Sequence, residues 1–219
     1  MPFAKKFSVD ELTYDKKGLI PAIAQDWLDG TVLMMAWMNK VSLIKTIETN
    51  EVHYWSRSRS ELWRKGATSG NTQVLKEIRY DCDNDSIILS IEQNGSGACH
   101  TGEKSCFFNK INKNLDNSVE KDCIPPSNKC TELFDTLSER SISPKDGSYT
   151  NYLLSKGSNT ILKKIGEETA EFIMACKDND KNSISSEAAD IIYHLQVALL
   201  YKGVKWREVL SVLESRRKD

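Results

Sequence analysis

The composition of the chain changes near its middle, and this change restricts the fold more than any other feature of the sequence. Residues 109–129 contain five asparagines, mixed charge and the pair Pro125-Pro126, with almost no apolar periodicity. Such a stretch has too little apolar surface to bury in a packed element. A connection of this length is also uncommon inside one compact domain. We therefore predict a linker at 109–129 between an N-terminal domain at 1–108 and a C-terminal domain at 130–219.

The first half of the chain has the pattern of short β-strands with one helix. Two β-prone runs, Leu19–Gln25 and Thr31–Trp37, are separated by Asp29-Gly30, which is a hairpin signal. A helical stretch begins at Asn39 and stops near Asn50. Further strands are expected at Val52–Trp55, Thr72–Tyr80 and Ser86–Gln93. The predicted fold of this half is α+β, with a mainly antiparallel sheet.

The second half has helical periodicity throughout. Three segments carry apolar residues three and four positions apart, namely Thr160–Lys177, Ile184–Tyr201 and Lys205–Arg217. Ser148 can cap a shorter helix that Gly157 ends. The economical prediction for this half is an all-α helical bundle.

Charge and hydropathy exclude several classes of function. The 30 basic and 31 acidic side chains give a net charge of −1, which argues against a general polyanion-binding surface, so no nucleic-acid partner is expected. The longest strongly apolar stretch, Val32–Met38, is too short to span a bilayer, and the first residues lack the apolar region of a signal peptide. We expect a cytoplasmic protein without a membrane partner. In that reducing compartment the six cysteines need a reason other than disulfides.

One candidate metal site lies in the run Asp81-Cys82-Asp83-Asn84-Asp85. On an extended backbone Asp81, Asp83 and Asp85 would face one side and Cys82 the other. Three carboxylates on one side suit a hard cation such as Mg²⁺. The alternative is an Asx-rich turn between two strands.

A second candidate site combines Cys82 with Cys99 and Cys106, which flank Gly102 and enclose His100. Three thiolates would leave the fourth position of Zn²⁺ open, which is the pattern of a catalytic rather than a structural zinc. Free buried cysteines are the alternative. Because Cys82 would point away from the carboxylates, we expect it to meet Cys99 and Cys106 of a second subunit in a symmetric homodimer.

Basic, hydroxyl and aromatic side chains are concentrated between Tyr54 and Asn71. Arginine and lysine suit phosphate, tryptophan suits a base, and glycine allows close backbone approach. An anionic aromatic ligand is therefore expected here, and a solvated basic loop is the alternative. The candidate substrate contacts are Arg57, Arg59, Trp63, Lys65 and Ser69.

These motifs together resemble the phosphoribosyl-AMP cyclohydrolases of histidine biosynthesis. The resemblance covers about residues 7–108 and rests on Gly18–Ala22, Val32–Met34, Ser56–Arg59, Trp63–Gly66, Thr68–Asn71, Asp81–Asp85 and Cys99–Phe107. It implies hydrolysis of the N1–C6 bond of the purine of phosphoribosyl-AMP with zinc and magnesium. Cys82, Cys99 and Cys106 would then hold zinc. The three aspartates would hold magnesium near the substrate, and His100 is our candidate for proton transfer, with a satisfied loop histidine as the alternative.

Carboxylates also cluster on two predicted helices of the second half. Like charges three or four positions apart repel one another unless a cation lies between them. Facing carboxylates in a helical bundle can hold divalent metals, and an all-oxygen set favours Mg²⁺. A solvated acidic face is the alternative. The candidate ligands are Glu167, Glu168, Glu171, Glu187 and Asp190.

This half resembles the phosphoribosyl-ATP pyrophosphohydrolases, which belong to the all-α nucleotide pyrophosphohydrolases. The resemblance covers about residues 131–215 and rests on Leu153–Gly157, Ile161–Glu171 and Glu187–Leu195. It implies Mg²⁺-assisted attack of water between the α and β phosphates of phosphoribosyl-ATP, with Glu171 at the hydrolytic step. Lys163 and Lys164, one turn earlier, would neutralise phosphate charge, unless they are ordinary surface lysines.

The two resemblances imply a bifunctional enzyme. The C-terminal domain would release pyrophosphate from phosphoribosyl-ATP, and the N-terminal domain would open the ring of the phosphoribosyl-AMP that results. The alternative is a zinc-stabilised nucleotide-binding module that has lost one or both activities.

Overall fold

The computed structural model describes residues 7–111, 119–121 and 127–217, and the chain forms two compact units, at residues 1–127 and 128–219. The boundary between the units falls inside the predicted linker. The domain limits drawn from the sequence, 1–108 and 130–219, stay predictions. Within the described residues, every helix is too short or too polar to cross a bilayer.

The N-terminal unit is built on a six-stranded sheet with the order β4-β3-β2-β1-β6-β5. Its strands are β1 (Ile20–Asp26), β2 (Val32–Met38), β3 (His53–Ser56), β4 (Glu61–Arg64), β5 (Gln73–Tyr80) and β6 (Ile87–Gln93). Five of the six match predicted strands, whereas β4 lies in the stretch that we interpreted as a ligand-binding segment. The sheet is mixed, because β1 pairs with β6 in parallel while the other pairs are antiparallel.

The two central strands show why this half forms a sheet. Burial alternates along β1, where Ile20, Ala22 and Ala24 are buried and the residues between them are partly exposed. In β6 the buried residues are Ile87, Leu89 and Ile91, and the first two lie directly beside Ala22 and Ala24 in the parallel register. A period of two places all these side chains on one face, which forms the core of this unit.

The helix α1 (Lys40–Thr49) covers this core and begins and ends where the sequence predicted. The side-chain oxygen of Asn39 accepts a hydrogen bond from the backbone N–H of Ser42 at 2.8 Å, and the Ser42 hydroxyl binds the Asn39 backbone N–H in return. Asn50 ends the helix in the left-handed conformation, with φ of 55°. Leu43 is the fully buried apolar residue that joins α1 to the core.

A buried polar chain links β3, β5 and β6. The hydroxyl of Tyr54, which is fully buried, donates to the side-chain oxygen of Gln73 at 2.8 Å. The Gln73 amide donates in turn to Gln93 at 2.9 Å, and the Gln93 amide donates to the Thr72 carbonyl. Each buried polar group in this chain has a partner, so the network holds the strands in register without a desolvation penalty.

The predicted linker contains one regular feature. Asn109–Ile111 (β7) and Val119–Lys121 (β8) form a two-stranded antiparallel sheet. The sequence carries no strand signal at these positions, because backbone pairing alone can join short strands that lack an apolar pattern. The rest of the predicted linker, at 112–118 and 122–126, lies outside the described residues.

The C-terminal unit is helical, as predicted. Its helices are α2 (Lys129–Ile142), α3 (Tyr149–Lys156), α4 (Ser158–Asp178), α5 (Lys181–Tyr201) and α6 (Trp206–Arg216). Leu137, Leu153, Ile161 and Val197 form the buried core between four of them. The long helices α4 and α5 are joined by only Asn179 and Asp180, so they pack side by side in opposite directions.

The Tyr54 hydroxyl makes this network testable. Tyr54→Phe leaves the buried oxygen of Gln73 without its donor, which should lower the free energy of unfolding of the N-terminal unit by about 1–2 kcal/mol. Urea unfolding followed by tryptophan fluorescence measures this change, because four of the five tryptophans, at positions 27, 37, 55 and 63, lie in that unit. Tyr80→Phe, at a half-exposed tyrosine of the same unit, is the control and should have little effect. Equal stability of both variants would contradict the role assigned to the network.

Candidate active sites

The three aspartates of the N-terminal unit converge at one point. One carboxylate oxygen from each of Asp81, Asp83 and Asp85 lies within 4.8 Å of the others, at the surface of the unit. The backbone here is the turn between β5 and β6, and Asn84 has φ of 63°. The extended alternation that we assumed was therefore wrong. The turn itself gathers the carboxylates, and their spacing suits a hard divalent cation.

Hydrogen bonds hold Asp81 in its charged form. Its carboxylate accepts from the Ser86 hydroxyl at 2.6 Å and from the backbone N–H groups of Ser86 and Asp85. These bonds, with that from Ser86 the strongest, lower the pKa of Asp81 to about 2. The neighbouring charge of Asp83 raises the pKa of Asp85. The turn therefore concentrates negative charge that a bound cation would neutralise.

The cysteine segment forms a tight hook next to β2. Ala98 and Cys99 donate backbone hydrogen bonds to the carbonyls of Lys104 and Glu103, both at 3.1 Å, and Cys106 donates to the Leu33 carbonyl of β2 at 2.8 Å. Gly97 is required where the hook closes, because a Cβ atom there would lie 2.4 Å from the Glu103 carbonyl oxygen. The hook thus brings Cys99 and Cys106 together, as the sequence predicted for two of the three thiols.

The two thiols of the hook have different acidities. Burial alone would raise the pKa of Cys99, but hydrogen bonds from Thr101, whose hydroxyl is 3.0 Å from the sulfur, and from Cys106 hold that pKa below its ordinary value. Burial and the neighbouring Cys99 raise the pKa of Cys106 to about 11. The pair can therefore carry one thiolate without a metal, and a second thiolate requires additional positive charge.

Cys82 lies apart from this pair. It is exposed in the aspartate turn, and no cluster of three metal-ligating atoms among residues 7–111, 119–121 and 127–217 contains a cysteine. Within one chain, two of the three predicted zinc ligands, Cys99 and Cys106, lie together in the hook. The third, Cys82, lies in the aspartate turn. The five cysteines of these ranges are free thiols.

Lys65 occupies a different position from the one that we expected for a substrate contact. Its side chain is buried, and its ammonium group donates to the Ala98 carbonyl at 2.7 Å, directly before Cys99. Burial lowers the pKa of Lys65, while the adjacent Cys106 and Cys99 oppose that change. Lys65 is therefore positioned to hold the hook and to place positive charge beside the thiols, rather than to contact a ligand in the open pocket.

Two basic residues of this stretch, Arg57 and Arg59, border an open pocket of about 1060 Å³. Arg57 lies over the Trp37 ring at 5.0 Å, and Arg59 forms an ion pair with Glu61 at 3.0 Å. His100 and Trp63 reach the same pocket, so four of the predicted residues border one space, together with the rings of Trp37 and Trp55. Its lining consists of Lys17, Met35, Ala36, Trp37, Trp55, Ser56, Arg57, Ser58, Arg59, Trp63 and His100. Lys17 was missed, because an isolated lysine in a turn carries no local signal.

Ser69 lies outside this pocket lining, in the exposed turn that follows Lys65. Its hydroxyl accepts a hydrogen bond from the backbone N–H of Asn71 at 3.3 Å. Asn71 then accepts from the Ser96 backbone at 3.0 Å, which ties the turn to the segment before the cysteine hook. Gly66 allows this close approach, since a Cβ atom there would lie 2.4 Å from the Asn71 carbonyl carbon.

The carboxylates of the C-terminal unit also converge. One oxygen from each of Glu168 and Glu171 on α4 and Glu187 on α5 lies within 4.8 Å of the others. Glu168 is buried, and Glu187 is partly buried. Burial, together with the charges of Glu171, Asp190 and Glu168, raises the pKa of Glu187. Three carboxylates at such short distances repel one another, and a divalent cation that prefers oxygen ligands would relieve this repulsion.

The remaining predicted residues of this site have other contacts. Glu167 forms ion pairs with Lys163 at 3.0 Å and Lys164 at 3.1 Å, so it lies outside the cluster of three. Lys164 also contacts Glu168 at 3.3 Å, and its hydrogen bonds with Glu167 and Glu168 raise its pKa. Asp190 is close enough to affect Glu187 electrostatically, although it is not a member of the cluster.

His194 also lies at this site, on the helical face that the sequence assigns to Glu187 and Asp190. It is buried, and its Nε2 atom lies 3.6 Å from the Glu168 carboxylate. Its Nδ1 atom is buried without a hydrogen-bond partner among the described residues. Burial lowers the pKa of His194, although the charge of Glu168 opposes this. In the sequence, the helical spacing of His194 from Glu187 and Asp190 indicates that the three side chains share one face of α5.

Comparison with known proteins gives the same order of domains along the chain. The family model for phosphoribosyl-AMP cyclohydrolase matches residues 34–108, and the model for phosphoribosyl-ATP pyrophosphohydrolase matches residues 130–217. A "Histidine biosynthesis bifunctional protein HisIE" of Prochlorococcus marinus subsp. pastoris is 75% identical and covers 99% of this chain and 98% of its own length. A protein of the same name from a second Prochlorococcus marinus strain is 60% identical and covers 100% of this chain and 97% of its own length. Another, from Gloeobacter violaceus, is 48% identical and covers 94% of this chain and 90% of its own length.

The unequal acidity of the hook can be measured in metal-free protein that retains only Cys99 and Cys106. The thiolate absorbance near 240 nm should rise in two steps as the pH increases, the first below the ordinary thiol pKa of 9.0 and the second near 11. The steps separate because the first thiolate makes ionisation of the second less favourable. Cys106→Ser should remove the second step. A single step near 9 would contradict the hydrogen-bonded pair.

Proposed function

Because this chain belongs to the family of histidine biosynthesis bifunctional proteins, it is an enzyme with two activities, and we propose which residues carry each one. Its N-terminal part is a phosphoribosyl-AMP cyclohydrolase, and its C-terminal part is a phosphoribosyl-ATP pyrophosphohydrolase. Its substrates are accordingly phosphoribosyl-ATP and phosphoribosyl-AMP. The observation behind the residue assignment is that each compact unit contains its own cluster of converging carboxylates.

In the N-terminal unit the open pocket beside the hook is the proposed substrate site. Arg57 and Arg59 supply positive charge for the phosphates, and Trp63 supplies an aromatic surface for the purine. Asp81, Asp83 and Asp85 are the proposed ligands of Mg²⁺. His100 borders the pocket and is exposed, so it can exchange a proton with a bound substrate and with solvent.

Zinc is proposed to bind Cys99 and Cys106 of one chain and Cys82 of a second chain. Bound zinc lowers the pKa of a coordinated water to about 7, which supplies hydroxide at neutral pH. The separation of Cys82 from the other two thiols supports a shared site, and a symmetric homodimer would contain two such sites. Three zinc-binding thiols also require a reducing compartment, so the cytoplasm is the proposed location.

In the C-terminal unit Glu168, Glu171 and Glu187 are the proposed Mg²⁺ ligands, and Asp190 is close enough to assist them. A magnesium ion held by these carboxylates would supply positive charge for the triphosphate and would make a bound water more nucleophilic. Glu171 is exposed within the cluster and is our candidate for the hydrolytic step. Lys163 can contact phosphate from the rim, whereas Lys164 is already paired with two glutamates and instead orients them.

The two activities should be separable by single substitutions. Cys99→Ala should abolish ring opening and leave pyrophosphate release within about twofold of the original rate, because the ligands of the second site lie in the other unit. Glu171→Ala should lower pyrophosphate release by a factor of about 100 or more and leave ring opening of supplied phosphoribosyl-AMP unchanged. Pyrophosphate release is measured with phosphoribosyl-ATP as substrate, as the phosphate formed after added pyrophosphatase cleaves the pyrophosphate. Ring opening is measured with phosphoribosyl-AMP as substrate, by the absorbance of the ring-opened product. Loss of both activities in either variant would contradict the two-site assignment.

A shared zinc site predicts complementation between two inactive proteins. Cys82→Ala and Cys99→Ala homodimers should each lack ring opening. After the subunits are mixed and exchanged, half of the dimers are mixed, and each mixed dimer regains one intact site, so about a quarter of the original activity should return. Mixing Cys99→Ala with Cys106→Ala is the control, because these two ligands come from the same chain and no intact site can form. Zinc held within one chain would give no recovery in either mixture.

A further inference from the structure

Three tyrosines of the C-terminal unit form a row of nearly parallel rings. The rings of Tyr149 and Tyr152 have centroids 6.2 Å apart at an angle of 18°, and those of Tyr149 and Tyr193 are 6.2 Å apart at 17°. This spacing is at the wide end of the range for paired aromatic rings. Tyr149 is the ring that the two pairs share.

One tyrosine of the row is held by a hydrogen bond, and the other two are accessible to solvent. The Tyr193 hydroxyl is hydrogen-bonded to the Thr150 hydroxyl at 2.8 Å, which anchors α3 to α5. Tyr149 and Tyr152 are 46% and 52% exposed. The Lys156 ammonium lies over the Tyr152 ring, 5.6 Å from its centroid. Among the described residues, no such cation lies over the Tyr149 ring.

Tyr149 lies directly beside the carboxylate cluster. Its ring meets the His194 ring edge to face at 6.0 Å, and His194 reaches the Glu168 carboxylate at 3.6 Å. Two contacts thus separate the tyrosine face from a proposed ligand of the magnesium ion that would bind the phosphates. The buried Nδ1 atom of His194, unpartnered within the described residues, shows in addition that the space behind the cluster contains an unused polar group.

We propose that Tyr149, supported by Tyr152, is the platform on which the purine of the pyrophosphohydrolase substrate stacks while its triphosphate lies at the carboxylate cluster. This inference rests on the proposed function of the C-terminal site. The substrate is ribosylated at N1 of its adenine, so its ring carries positive charge, and the electron-rich face of tyrosine attracts such a ring. The phosphates would then lie at the carboxylates of Glu168, Glu171 and Glu187, which would hold the magnesium ion.

The platform would bind the substrate in the ground state and in the transition state alike, because the purine does not react in this step. Its loss should therefore raise KM and leave kcat nearly unchanged. Base stacking on an aromatic side chain corresponds to about a 5- to 100-fold change in affinity. Tyr149→Ala should raise KM for phosphoribosyl-ATP within that range, and Tyr149→Phe should retain a KM within about twofold of the original, because the aromatic face remains.

Inhibition of pyrophosphate release separates stacking from phosphate binding. ATP contains both a purine and phosphates, whereas inorganic triphosphate contains phosphates only. In Tyr149→Ala the inhibition constant of ATP should rise, by a smaller factor than KM because the adenine of ATP carries no positive charge, and that of inorganic triphosphate should not change. Tyr201→Ala is the matched control, since Tyr201 is 43% exposed in the same unit and is absent from the row. It should leave all three constants unchanged.

Circular dichroism checks that each variant keeps its helices. Should Tyr149→Ala unfold, Tyr149→Leu makes the same test, because leucine keeps an apolar side chain without an aromatic face. An unchanged KM, an equal rise in both inhibition constants, or a loss of kcat alone would overturn the platform. Each of these results leaves the proposed function standing as long as Glu171→Ala is inactive in the same assay, whereas an active Glu171→Ala would count against the proposed function itself.

Discussion

Repulsion between like charges held close together is the constraint on which both halves of this protein depend. In each unit three carboxylate oxygens lie within 4.8 Å of one another, an arrangement that costs free energy in the absence of a cation. The surrounding structure keeps them there. Hydrogen bonds from Ser86 hold Asp81 in the turn between β5 and β6, and the packing of α4 against α5 holds Glu168 and Glu171 opposite Glu187. The hydrogen bonds and the packing of each unit therefore keep its three carboxylates together.

The mixed sheet carries the functional segments of the N-terminal unit on its strands and at their ends. The parallel pairing of β1 with β6 places the aspartate turn at the start of β6, while the cysteine hook is attached to β2 through the Leu33 carbonyl. Lys65 then connects the end of β4 to the hook. A residue that looks like a phosphate contact in the sequence is thus part of the support of the thiols, and the pocket beside it is left to Arg57, Arg59 and His100.

The prediction of the elements succeeded where local rules decide the outcome. The alternating burial of β1, the cap residues Asn39 and Asn50 and the apolar spacing of α4 and α5 are all properties of short sequence windows. It failed where a partner distant in the sequence decides. β4 exists because it pairs with β3, and β7 and β8 form because each supplies backbone hydrogen bonds to the other. The pairing of β1 with β6 joins strands that are more than 60 residues apart, so no local pattern contains it.

The sequence by itself determined the two kinds of unit, the chemical class of both sites and the residues available to them, because periodicity and ligand chemistry are written in residue types and spacings. Only the tertiary structure decided which of those residues meet. It grouped Glu168, Glu171 and Glu187 while pairing Glu167 with lysines, and it separated Cys82 from Cys99 and Cys106. It also buried Lys65 and placed Tyr149 beside His194. The physical reason is that a side chain's role depends on the charges and surfaces that folding brings against it, and these come from distant parts of the chain.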